Sequence, residues 1–218
     1  MNLAETPERE LGAAASELGR GIEALDLALD AGRQRVLLQY LVLLEKWNRV
    51  YNLTAIREIR KMVSGHLLDS LAVVPHLHGR RVLDVGSGAG LPGIPIAIAC
   101  PERETVLIDS NHKKTAFLRQ AIADMAIANA SVVCERVESW RAQQGFDIII
   151  SRAYAELAEF VQQSKHLLAP DGVLVAMKGV HPYDEIERLP GEYLVREVVE
   201  LRVPGLEAAR HLVLIGKR

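Results

Sequence analysis

The 218-residue sequence predicts an α/β fold, a doubly wound, mostly parallel seven-stranded sheet with an N-terminal helical extension and a C-terminal antiparallel hairpin. Three observations carry the prediction. The first third of the chain repeats its apolar residues at helical spacings. From Arg80 onward short β-branched runs alternate with helical ones, and beyond residue 190 the helical period gives way to two strand-like runs. Repeated strand–helix units at this spacing imply a parallel sheet with helices on both faces.

The elements follow in order. A first helical segment covers 22–29, where Ile22, Leu25, Leu27 and Leu29 recur until Ala31-Gly32 interrupts them. A second carries Leu37, Tyr40, Leu41, Leu44 and Trp47, with Arg35, Gln39, Glu45, Lys46 and Arg49 between them. A third spans 61–74 through Met62, Leu67, Leu68, Leu71 and Val74, and Pro75 stops it. Strands are expected at 81–85, 104–109, 131–134, 147–151 and 172–178, and helices near 94–99, 113–125 and 157–168. Ala169-Pro170-Asp171-Gly172 reads as the turn that closes the last of these helices. Runs 194–203 and 211–216 form the hairpin, joined through Pro204-Gly205-Leu206-Glu207. No internal repeat or linker rich in Gly, Ser or Pro divides the chain. The expected organisation is a helical extension, 1–75, packed on a core, 76–218, as one compact unit.

Composition excludes several classes. With 25% charged residues, 49% apolar residues and no polar low-complexity tract, disorder is expected only at the ends, notably in the first ten residues with Thr6, Pro7 and alternating charge. No apolar run approaches the roughly 18–20 residues that cross a bilayer, and the acidic start lacks the basic head and apolar core of a signal peptide. A cytoplasmic protein without membrane attachment is expected. Two cysteines, Cys100 and Cys134, exclude a disulfide framework and a CxxC site. A formal charge of −2 removes global positive charge as a sign of nucleic-acid binding while leaving a local basic patch open.

The most informative stretch is Arg81-Val-Leu-Asp84-Val-Gly86-Ser-Gly88-Ala-Gly90-Leu-Pro-Gly93. A strand running into alternate glycines turns sharply and lets its backbone lie against a ligand; the same pattern also serves a plain tight βα turn. Leu91 stands where a dinucleotide fingerprint needs Gly or Ala, and no Gly-Lys-Ser/Thr closes the segment as in a P-loop. The next strand ends in Asp109, 19 residues beyond Gly90. A carboxylate there can accept both hydroxyls of a ribose, and it can equally cap the helix that begins near His112. Loop and acid together read as a nucleoside site without a pyrophosphate cradle.

The GxGxG loop preceded by Asp84, the acid Asp109, the strand beginning Phe146-Asp147 and the turn Leu168–Gly172 resemble the class I S-adenosylmethionine-dependent methyltransferases in residue type and order. Narrower signatures lie in Lys46-Trp47-Asn48-Arg49-Val-Tyr51-Asn52-Leu53-Thr54, His66-Leu-Leu-Asp69-Ser70, the extended glycine loop through Pro95, Ile150-Ser151-Arg152-Ala153, Lys178-Gly179 and Arg210-His211-Leu212. From about residue 35 to the C-terminus this set closely resembles the glucose-inhibited division protein B family of bacterial 16S ribosomal RNA guanine-N7 methyltransferases. Ala89 departs from the Pro common there, and the first 20 residues match nothing in the family pattern.

The resemblance implies a Rossmann-like fold, S-adenosyl-L-methionine as cofactor, and methylation at N7 of a guanine in the 530 loop, in the decoding region of 16S ribosomal RNA. It implies that Gly86, Gly88 and Leu91 line the cofactor, that Gly90 completes the turn, that Asp109 holds the ribose, that Val137 and Glu138 border the adenine, and that Arg152 closes the pocket. Arg152 also fits a structural ion pair. Asn52, His66 and Asp69 are expected to fold over the pocket toward the target. A turn cap for Asn52 and a satisfied buried imidazole for His66 are the alternatives.

Guanine N7 offers a lone pair with no proton to remove, so no general base is expected. Arg152, Lys178 and Arg210 are then candidates for phosphate, guanine O6 or the cofactor carboxylate. Clusters at Arg57, Arg60 and Lys61, and at His112, Lys113, Lys114 and Arg119, are candidate RNA-backbone contacts. His76, His78, His166 and His181 read as loop or surface residues. The expected partner is 16S ribosomal RNA within the small subunit or an assembly intermediate, met by a monomer. A class I methyltransferase acting on another RNA, a protein or a small molecule is the alternative.

Overall fold

The computed structural model describes residues 8–152 and 155–218. Thr6 and Pro7, with most of the end expected to be disordered, lie outside the described residues, as do Ala153 and Tyr154 after Arg152.

Seven strands form one sheet: β1 (Arg81–Val85), β2 (Glu104–Ile108), β3 (Ala130–Val133), β4 (Phe146–Arg152), β5 (Leu168–Lys178), β6 (Tyr193–Glu200) and β7 (His211–Lys217). Their order is β3-β2-β1-β4-β5-β7-β6. The first five are parallel; β7 runs antiparallel to β5 and pairs on its other side with β6 at the edge. The order reverses beside β1, and ligands of open parallel sheets bind at the carboxyl ends of strands flanking such a switch. The central strands are buried on both faces, which is why Val82-Leu83, Val106–Ile108 and Ile148–Ile150 are continuous apolar runs.

Helices α1 (Glu8–Ala24), α2 (Ala31–Tyr51), α5 (Gly93–Ala99) and α6 (His112–Asp124) cover one face; α7 (Leu157–Ser164) covers the other. Leu18, Leu37, Tyr40 and Leu44 of the helical extension share one buried cluster with Val82, Ile148, Ile150 and Val175 of the sheet. The extension therefore continues the core.

Two helical expectations are corrected. The segment 22–29 is helical only over 22–24, the last turn of α1, which ends at Ala24; Asp26 takes a left-handed φ of 53°. The stripe that α1 buries is Ala14, Leu18 and Ile22, one turn apart, and Asp30 caps α2 by accepting the Arg33 N–H at 2.9 Å. Ala31-Gly32 thus opens a helix instead of interrupting one. The segment 61–74 is not one regular helix either. α3 (Ile59–Met62) widens into a π-helical turn (Val63–Leu68), returns to α4 (Asp69–Leu71) and ends in a 3₁₀ turn (Val74–His76) that contains Pro75. Such π turns cluster at functional sites, and this one carries Gly65 and His66 and leads into Asp69.

The remaining differences are smaller. α7 stops at Ser164 and a 3₁₀ turn (Lys165–Leu167) follows. β5 begins at Leu168, and its pairing with β4 jumps from Phe146↔Leu168 to Ile148↔Val173, so the Ala169–Gly172 turn is an excursion within the strand. β6 ends at Glu200, leaving 201–203 to the connection, and α8 (Tyr183–Glu187) has too few periodic residues to stand out in sequence.

Candidate active site

β1 delivers the chain into a loop in which Gly86, Gly88 and Gly90 have φ of 67°, 56° and 86°. A side chain is strained in that region, so the glycines are demanded by the backbone. The Gly86 and Ser87 N–H groups donate to the Ile108 carbonyl at 2.9 and 3.1 Å, and the Gly90 N–H donates to the Ser87 carbonyl at 2.7 Å. At Gly90 a Cβ would stand 2.8 Å from Ile94 and 2.9 Å from Leu118. Tyr40, buried in α2, donates its hydroxyl to the Ala89 carbonyl at 2.6 Å and so ties the helical extension to the loop. In the sequence Tyr40 stands out only as one of the periodic residues of the second helical segment. A buried phenol that must find an acceptor was the available signal.

Asp109 follows β2 with 8% exposure. Its Oδ2 accepts the Gly88 N–H at 3.0 Å and its Oδ1 the Asn111 N–H at 2.8 Å. The cap of α6 is Asn111, which accepts from Lys113 and Lys114, so Asp109 faces the loop and the space before it, with Lys114 Nζ 3.8 Å from its Oδ2. That space is a cavity of about 290 Å³ at the carboxyl ends of β1, β2 and β3, bordered by Gly86, Asp109, Lys114, Arg136, Val137 and Glu138. The expected residues Gly86, Asp109, Val137 and Glu138 are therefore brought together. Lys114 and Arg136 were not predicted as cavity residues; their place follows from lying just past the ends of β2 and β3. Leu91 is buried in the core behind the loop.

Asp84 is fully buried beneath the loop. Its Oδ2 accepts the Gly93 N–H at 3.0 Å, whereas its Oδ1 has no hydrogen-bond partner. Burial pushes this carboxyl up to about 7, against the pull of the Gly93 N–H and of the Arg152 charge.

A second cluster stands in front of β4. Asp69, 1% exposed, joins two arginines: Arg152 Nη1 lies 3.1 Å from Oδ2 and Arg210 Nε 2.8 Å from Oδ1. Arg152 also donates to the Gly65 carbonyl at 3.2 Å. Arg152 lies two residues beyond Ile150, the register partner of Asp84, so it stands between the end of β1 and the segment of the helical extension that holds it. The His66 ring is doubly engaged, with Nδ1 2.8 Å from the Gly65 carbonyl and Nε2 2.8 Å from Thr54 Oγ1. A carbonyl only accepts, so the neutral ring donates from Nδ1 and accepts the Thr54 hydroxyl at Nε2. Burial first, then Arg152, lowers His66 to about 4.

Asn52 and Lys178 are placed otherwise. Asn52 ends α2 in the left-handed region (φ 50°), and its side-chain oxygen accepts from Arg57 at 3.2 Å. Its neighbour Asn48, 3% exposed, donates to the Ile56 carbonyl and accepts the Thr54 N–H, ordering the strap that carries Thr54 to His66. Lys178 donates to the Ala155 carbonyl at 2.9 Å and to Glu185 at 2.7 Å.

The two buried titrating groups give opposite pH dependences. His66 binds its proton at about 4 in the fold and near 6.5 when unfolded. Its contribution is whole above 6.5 and is lost as the pH falls toward 4, on the order of 3 kcal/mol. Asp84, at about 7 folded and 3.8 unfolded, contributes fully below 3.8 and loses its contribution as the pH rises through 7. Denaturant unfolding across this range is expected to lose its acid-side fall in His66→Gln and its fall toward pH 7 in Asp84→Asn. Unchanged profiles in both variants would contradict these environments.

The sequence profile of a family described as rRNA small subunit methyltransferase G (GidB) matches residues 33–213. Proteins named ribosomal RNA small subunit methyltransferase G from Laribacter hongkongensis and Chromobacterium violaceum are 54% and 55% identical to this chain over 202 and 199 residues. The alignments cover 93% and 91% of this chain and 98% and 95% of those proteins. Among solved structures, a SAM-dependent methyltransferase from Thiobacillus denitrificans in complex with S-adenosyl-L-homocysteine superposes with a TM-score of 0.50 at 12% identity. That match covers 81% of this chain and 97% of the other and shows the shared fold.

Proposed function

Starting from the fact that this chain belongs to the rRNA small subunit methyltransferase G family, we propose that it methylates N7 of a guanine in the decoding-region loop of 16S ribosomal RNA, with S-adenosyl-L-methionine as donor. The carrying observation is the glycine loop tied through the Gly88 N–H to Asp109, beside a cavity at the carboxyl ends of β1 to β3.

The residues present fit the donor. Asp84 Oδ1 is a buried acceptor without a partner, suited to a cationic group, and Asp109 keeps lone pairs for hydroxyls beyond the two N–H groups it accepts. Val137 supplies an apolar wall. Gly86, Gly88, Gly90, Leu91, Asp109, Val137, Glu138 and Arg152 are assigned to hold the cofactor, with Gly90 and Leu91 acting through the shape of the loop. Bound there, the cofactor supplies a methyl group on a sulfonium.

What the chain itself does is to orient and to exclude water. N7 presents a lone pair, so no residue is asked to take a proton. Arg152 is held by Asp69 and Gly65 at the end of β4, between loop and extension, where it can fix the incoming base. His66, neutral at pH 7, and Asn52 are assigned to substrate positioning, and Asp69, Lys178 and Arg210 to the substrate side. Asp69 acts there by aiming Arg152 and Arg210.

The extension of residues 1–75 is proposed as the layer that completes this site over the core of 76–218. No helix among the described residues is long and apolar enough to cross a membrane. A monomer in the cytoplasm, acting on the small subunit or an assembly intermediate, is the proposed setting.

Labelled methyl transfer from S-adenosyl-L-methionine should appear in small subunits that lack the modification and not in protein or metabolite fractions. Label in either of the latter fractions instead would favour a class I methyltransferase with another acceptor.

A further inference from the structure

The end of β5, which lies beside the strand end that carries Arg152, continues into a surface feature that none of the assigned residues explains. Met177 of β5 is the register partner of Arg152, and Lys178 that of His211. The chain then leaves the sheet through Gly179-Val180-His181-Pro182 into α8. In this turn Val180 and Tyr183 are 75% and 70% exposed, the most exposed large apolar side chains among the described residues.

Their exposure is organised. The Tyr183 ring stacks on His181 with centroids 3.8 Å apart and an interplanar angle of 25°. His181 meets His211 edge to face at 5.5 Å and 77°. His211 Nδ1 lies 3.3 Å from the Gly179 carbonyl, which closes the turn onto β7. His181 Nδ1 has no hydrogen-bond partner, so ring contacts are what orient it on that side. Three rings thus run outward from the sheet, and the innermost adjoins Arg210, whose guanidinium reaches Asp69 and through it Arg152.

We propose that Tyr183, backed by His181 and His211, is a stacking platform for an unpaired base of the RNA substrate at the mouth of the site. The proposal rests on the ribosomal RNA reading above. With a formal charge of −2 the chain has no global attraction for a polyanion, so specific contacts must supply its affinity. An exposed aromatic face anchored from behind is how proteins hold single-stranded bases without reading their sequence. Stacking of this kind stands to be lost on truncation, and the ring rather than the hydroxyl should carry it.

The test compares wild type, Tyr183→Ala and Tyr183→Phe on small subunits lacking the modification. Tyr183→Ala should raise KM for subunits about tenfold, the lower part of the range for a lost base stack, with kcat within about twofold and cofactor affinity unchanged. Tyr183→Phe should restore KM. Equilibrium binding of dye-labelled protein to the same subunits should weaken in parallel, a readout that needs no turnover. Methyl transfer absent in wild type with the binding difference intact would sink the N7 reading and leave the platform standing. Equal KM and equal binding in Tyr183→Ala, or failure of Tyr183→Phe to restore either, would overturn the platform. So would ultraviolet crosslinking that joins this turn only to a ribosomal protein.

Discussion

Asp69→Ala is expected to reduce methyl transfer to below one-hundredth of wild type and to destabilise the fold by about 3–5 kcal/mol, because breaking a buried ion pair strands its partners. The carboxylate is 1% exposed and spans two guanidiniums, Arg152 from β4 and Arg210 from just before β7. It also sits just past the π turn, so it ties the helical extension to two strands of the sheet. Removing it leaves two cations repelling one another beside the Gly65 carbonyl, and Arg152 loses the aim that the proposed chemistry needs. Asp69→Asn keeps the volume and one acceptor and should fall between. Denaturant unfolding with turnover on small subunits reads both effects. A fully stable Asp69→Ala protein with wild-type turnover would show that the bridge is dispensable.

Gly90→Val should lower cofactor affinity more than about a hundredfold and cost about 2–6 kcal/mol of stability. Two separate penalties act. The backbone stands at φ 86°, where a β-branched residue is strained by about 1–3 kcal/mol. The added carbons would also meet Ile94 and Leu118 in a packed core, a further 1–3 kcal/mol. Any shift that relieves the contact moves Ser87 and Gly88, and with them the Gly88 N–H that Asp109 accepts. For stability Gly88→Ala is the control, since a Cβ there meets only the Gly86 carbonyl oxygen at 3.7 Å and the backbone strain acts without a packing clash. Titration calorimetry with S-adenosyl-L-methionine and thermal unfolding check the pair. Wild-type affinity in Gly90→Val would mean that the loop does not shape the cofactor site.

Much of the molecule was legible because its signals were local. Continuous apolar strands, alternate glycines and Asp109 at the end of the next strand fall within one strand–helix–strand unit, and the Gly88 N–H meets Asp109 in the structure. The helix expected over 22–29 failed because Leu25, Leu27 and Leu29 pack against the core from irregular backbone, and apolar spacing alone does not distinguish that from a helical stripe. The π turn at Val63–Leu68 was hidden for a related reason: inserting an extra residue per turn changes hydrogen bonding while the whole segment stays buried. The bridge of Asp69 to Arg152 and Arg210 joins residues 83 and 141 positions apart, and no local pattern announces it. Arg152 was read with an ion pair as one alternative, and the pair is present. Of the two readings for His66, the satisfied buried imidazole describes its contacts, and these same contacts set it beside Gly65 and Arg152.

The most direct test maps the methylated atom. Small subunits from cells lacking the modification would be treated with the protein and S-adenosyl-L-methionine, and the RNA then reduced with borohydride and cleaved with aniline, which breaks the chain only at N7-methylguanosine. One new break in the decoding-region loop of 16S ribosomal RNA is the predicted result. Incorporated methyl without an aniline-labile site there, or no incorporation with the cofactor bound, would contradict it.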